Sequence, residues 1–156
     1  MKPLSLLFTC ALLISTALPA LAQKVDYRTF DVIAKSGNIF IVVKDSDYRM
    51  LVGSINKPKT VFLLGYSKEQ ASLKIKRLIR ICGEDKYIKE NRRIFFCGNV
   101  LHCYVKDKEG QEQYTFVRED DELKFVLEKR DLLVIKEDLD NLLQTTDTLK
   151  VEEICK

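Results

Sequence analysis

Tryptophan is absent from the chain and histidine occurs once, at His102. The first absence removes the flat stacking platform of many glycan sites. The second removes every site that needs two imidazoles. Three prolines and six glycines exclude collagen-like repeats and proline-rich linkers. No G-x-S-x-G elbow occurs, and no glycine-rich loop that could cradle a phosphate. Neither acidic turn, Asp45-Ser46-Asp47 or Glu119-Asp120-Asp121-Glu122, fits a calcium loop, and both read as solvated turns. What the chain does have is apolar substance. Of 156 residues, 46% are hydrophobic, enough for one packed domain and too many for a disordered polymer.

The apolar residues are not evenly spread. Met1 to Ala22 opens with Lys2, runs almost purely apolar from Leu4 to Leu18, and ends on Ala20-Leu21-Ala22 before Gln23. A positive start, a short apolar run and a small-x-small end are the form of a secretory signal peptide. Pro19 interrupts the run before the roughly 20 residues that a membrane anchor needs. The expectation is therefore a signal at 1–22, one domain over 23–156, a secreted or periplasmic location, and no transmembrane segment after cleavage.

Export sets the expected state of the cysteines. Cys10 leaves with the signal, and Cys82, Cys97, Cys103 and Cys155 remain. Four cysteines in an oxidising compartment imply two disulfides. Arg92–Cys97 and Val100–Lys106 read as a hairpin about a Gly98-Asn99 turn. That register puts Ile94, Phe96, Leu101, Cys103 and Val105 on one face. It puts Arg93, Phe95, Cys97, Val100, His102 and Tyr104 on the other, with His102 opposite Phe95. Cys97 and Cys103 then point apart. Ser67, with Gln70 three residues on, marks a helix start, and Ala71, Ile75, Leu78, Ile79 and Cys82 form one apolar stripe that stops at Gly83. The expected bridges are Cys82–Cys103 and Cys97–Cys155.

Around that helix stand β-rich runs at 29–34, 38–44, 48–53, 60–64, 113–118 and 122–127, with Leu132–Ile135 as a further extension. Thr60–Leu64 is continuously apolar and reads as a central strand covered on both faces. Ile135, Leu139, Leu142 and Leu143 mark a short second helix. Short connections imply antiparallel neighbours. The fold class is α+β: a curved antiparallel sheet with one main helix and one short C-terminal helix packed on it. Strands-then-helix occurs twice, although no matching residues mark a duplication.

Chemistry is thin. A nucleophilic site would need His102 as its base, yet a mid-strand position lacks the exposed turn that presents a nucleophile. Cys97, His102 and Cys103 lie on opposite faces and cannot wrap one metal ion. No catalytic set, cofactor or metal ligand is assigned. Charge is less even: residues 68–93 hold nine bases against four acids, and 119–153 hold twelve acids against five bases. Lys74, Lys76, Arg77, Arg80, Arg92 and Arg93 form a candidate surface for an anionic partner. A net charge of +3 is far from the excess of a nucleic-acid binder. A soluble face paired with the acidic third is the plainer reading. The leading expectation is an exported, non-enzymatic module that binds a protein or a cell surface, an inhibitor of an extracellular enzyme being one form. The alternatives are a small secreted hydrolase and a polyanion binder.

Overall fold

The computed structural model describes residues 25–83 and 92–154, with the backbone alone at 83, 107–108 and 145–154. The signal segment at 1–22 and Cys155 lie outside the described residues.

After a 3-10 turn at Tyr27–Thr29 come β1 (Asp31–Ser36), β2 (Ile39–Lys44), β3 (Asp47–Gly53), β4 (Pro58–Gly65) and α1 (Lys68–Gly83). The same order then repeats as β5 (Arg92–Phe96), β6 (Asn99–Lys108), β7 (Gln111–Arg118), β8 (Lys124–Glu128) and α2 (Lys129–Ile154). The protein is α+β, and its strands form two four-stranded antiparallel meanders rather than one sheet, ordered β1-β2-β3-β4 and β5-β6-β7-β8. Each half is four strands and a helix. The fourth strands share a spacing, Phe62-x-Leu64 and Phe125-x-Leu127, and all four side chains are buried.

Turn chemistry sets the hairpins. Asp45-Ser46, Cys97-Gly98 and Glu109-Gly110 all have positive φ at both central positions, the backbone twist that suits two-residue hairpins. The β5–β6 turn is thus Cys97-Gly98, one residue earlier than the sequence suggests. Glycine takes the second left-handed position, and Asn99 begins β6 with its side-chain amide donating to the Cys97 carbonyl at 2.9 Å. Moving the turn by one residue shifts the pairing by two, which preserves the faces. Ile94, Phe96, Leu101 and Cys103 are buried, while Phe95 and Tyr104 are exposed. Val105, at the far end of the same hairpin, is exposed. His102 lies opposite Arg93, not Phe95.

Three other expectations are corrected. β4 is an edge strand, not a central one, and its burial alternates: Thr60, Phe62 and Leu64 go in while Leu63 faces out. Leu132–Ile135 is helical. The second helix is long, 26 residues, because Leu132, Ile135 and Leu139 form one buried stripe from its first turn.

One core joins the halves. It takes Ile39, Ile41, Met50, Phe62 and Leu64 from the first sheet and Ile94, Phe96, Leu101, Tyr114, Phe116 and Phe125 from the second, closed by the stripes of α1 and α2. Phe62 is the hinge of that packing: its ring meets Phe96 edge-on at 5.4 Å and Phe125 at 5.7 Å, and Phe125 stacks on Phe116. Polar bonds fix the docking. The Ser36 hydroxyl donates to Asp131 at 2.7 Å, Asn38 donates to the Val126 carbonyl, and the Ser72 hydroxyl donates to Asp140 at 2.8 Å between the two helices.

Candidate functional site

The Ser67 cap forms as expected. Its hydroxyl accepts from the Gln70 amide at 3.2 Å, and the Gln70 side-chain oxygen reaches back to the Tyr66 amide at 2.8 Å. This capping box holds Tyr66 outward at the corner between β4 and α1. Beside it, a cleft of about 580 Å³ is lined by Leu63, Leu64, Tyr66, Gln70, Leu73, Lys74 and Arg77.

Its position follows from the pleat. Leu63 pairs with Arg49 on the face turned away from the core, whereas Leu64 belongs to the core cluster. Residues from opposite faces of one strand line the same cleft, so it runs along the free edge of β4, with α1 as its other wall. Three large apolar side chains stand in solvent there: Leu63 at 41% exposure, Tyr66 at 63% and Leu73 at 64%. Exposed singly, such residues mean little. Grouped around a concavity they mark a contact surface.

The cations at this cleft are uncommitted. Among the described residues no carboxylate lies within ion-pair distance of Lys74 or Arg77. Their field does reach Cys97, on the β5–β6 turn, and favours its thiolate, although burial dominates and pushes that thiol up to about 11.

The rest of the expected basic surface is dispersed. Lys76 pairs with Asp140 at 3.1 Å, so part of it is neutralised by the acidic helix α2. Arg92 donates to the Ile81 carbonyl at 2.7 Å, at the end of α1. Arg93 clamps Glu119 with two nitrogens, at 2.9 and 3.2 Å, and His102 Nε2 meets the same carboxylate at 3.0 Å. The Arg93 bond, then that of His102, holds Glu119 down to about 2. Arg80 is exposed and has a partner of its own. Only Lys74 and Arg77 are brought together in a cleft.

Among the described residues, Cys82, Cys97 and Cys103 are free thiols rather than members of the expected bridges. Cys82 and Cys103 are nonetheless both buried in the core cluster, where their thiols influence each other. That mutual influence and then burial push Cys82 up, while the same influence, helped by Arg92, pulls Cys103 down. Cys97 lies in the β5–β6 turn, packed against the core, while His102 stands mid-strand opposite Arg93, so the two do not share a strand face or assemble into a nucleophile and base. Among the described residues no group of three or more His, Cys, Asp or Glu side chains could hold a metal ion, and no helix is long and apolar enough to cross a membrane.

No protein-family model, curated protein or solved structure matches this chain. The cleft therefore stands on its own geometry. Sequence patterning missed its apolar half because TVFLL reads as a buried strand and Tyr66 as part of a turn. One signal was present: Leu73 sits off the stripe of α1, a large apolar residue on the helix's basic side.

Proposed function

We propose that this chain is a small exported, non-enzymatic protein that works by binding another protein, and that the cleft between the β4 edge and α1 is its contact surface. The observation that carries the reading is the grouping of Leu63, Tyr66 and Leu73 in solvent around one concavity. Leaving such side chains wet forgoes roughly 25 cal/mol per Å² of apolar area, which a partner would recover. Inhibition of an extracellular enzyme is one form this binding could take. Polyanion binding has less support, because Lys76, Arg92 and Arg93 are already engaged within the fold.

On export into an oxidising compartment, Cys82 would be expected to join Cys103, with Cys97 left for Cys155. The test of function is affinity capture by the mature protein from its own extracellular or periplasmic fluid, run beside a Leu73→Asp variant. A partner retained by the first and lost by the second is the expected result. A partner retained equally by both would remove the cleft from the account, and an activity abolished by His102→Ala would overturn the non-enzymatic reading.

A further inference from the structure

Resting on that reading of the cleft, we infer that its partner presents an acidic segment carrying bulky apolar side chains, recognised through side chains rather than by strand addition to β4. Two observations meet here. The apolar wall is bordered by Lys74 and Arg77, which have no carboxylate in ion-pair contact among the described residues, so an incoming acid would meet a positive field there.

The β4 edge argues against a backbone ladder. Val52 pairs with Thr60 and Gly53 with Pro58, leaving Lys59 as an extra residue. Arg49 pairs with Leu63 and Tyr48 with Gly65, leaving Leu64 as another. Regular pairing spans only Thr60–Leu63, with Pro58 before the first irregularity. Bulges, proline and lysine are the devices that stop edge strands from recruiting new ones. An occupant therefore finds little ladder to extend. It finds Leu63, Tyr66 and Leu73 for apolar anchors, and two cations on α1 one helical turn below Gln70 and Leu73.

The test uses a random dodecapeptide phage library panned on the mature protein, followed by synthesis of the enriched peptides. Acid-rich sequences with at least one Leu, Phe, Tyr or Trp are expected. Their binding should weaken about tenfold in Lys74→Glu/Arg77→Glu, survive N-methylation of alternate backbone amides, and recover in that variant when the peptide's acids are exchanged for lysine. Urea midpoints show that the variants are folded. Neutral or basic enriched peptides, loss of binding on N-methylation, or indifference to the double charge reversal would each overturn the inference. If Leu73→Asp still abolishes capture of the natural partner in such a case, the cleft reading survives alone. Retention on heparin that Lys74→Glu/Arg77→Glu removes, with no peptide enriched, would replace the acidic segment by a polyanion. Self-association of the free protein, abolished by the same variant, would replace it by a second copy.

Discussion

Replacing Gly37 by alanine probes how the first sheet is docked on α2. Gly37 opens the β1–β2 turn at φ +53°, where a side chain is disfavoured by about 1 kcal/mol. The second obstacle is tertiary. A Cβ there would collide with the Asp131 carboxylate, lying 2.8 Å from its Cγ. Asp131 is buried and accepts the Ser36 hydroxyl at 2.7 Å. Moving it aside breaks a hydrogen bond to a charged group, about 1.5–3 kcal/mol. Gly37→Ala should therefore cost about 2.5–4 kcal/mol in all. In an Asp131→Ala background the collision is gone and only the backbone part remains, about 1 kcal/mol. Urea denaturation of the four proteins, followed by far-UV circular dichroism, closes the cycle, with the slopes checked for constancy. A cost of Gly37→Ala that is the same in both backgrounds would refute the reasoning.

Asp140 is held down to about 2, first by Lys136 and then by Ser72 and Lys76. The unfolded carboxyl takes its proton at higher pH than the folded one, so this contribution is whole above about pH 4 and is lost as pH falls from there towards 2. Asp140→Asn should flatten that part of the acid limb in a plot of Tm against pH; an unchanged limb would count against the network. Phe62→Ala should cost about 3–5 kcal/mol and melt both halves in one transition, since its ring touches β5 and β8. Separate transitions for the two sheets would contradict the shared core. On the proposal of export, non-reducing peptide mapping should find Cys82 linked to Cys103, a bridge stabilising by about 3 kcal/mol; Cys97 linked to either would refute that pairing.

Local periodicity by itself determined a good deal. The stripe of α1, its Ser67 start, the α+β class and the two faces of the cysteine hairpin are all readable, because each depends on residues within one turn or one strand pair. The faces of the strand residues survived a misplaced turn, since strand alternation depends only on parity, while Cys97 moved off its face into the turn. The burial of Cys82 and Cys103 in one core was also legible from their faces, although they stand there as free thiols. Tertiary structure alone decided which strands lie at edges, and with that the candidate site. TVFLL has the composition of a central strand, and nothing within it says that α1 covers one side while the far edge stays open. Likewise, a list of basic residues cannot say that Lys76 meets Asp140, that Arg92 meets the end of α1, or that Arg93 meets Glu119. Charges cancel through space, between residues as far apart in the chain as α1 and α2. Only the folded arrangement leaves Lys74 and Arg77 without a carboxylate partner among the described residues, beside three exposed apolar side chains.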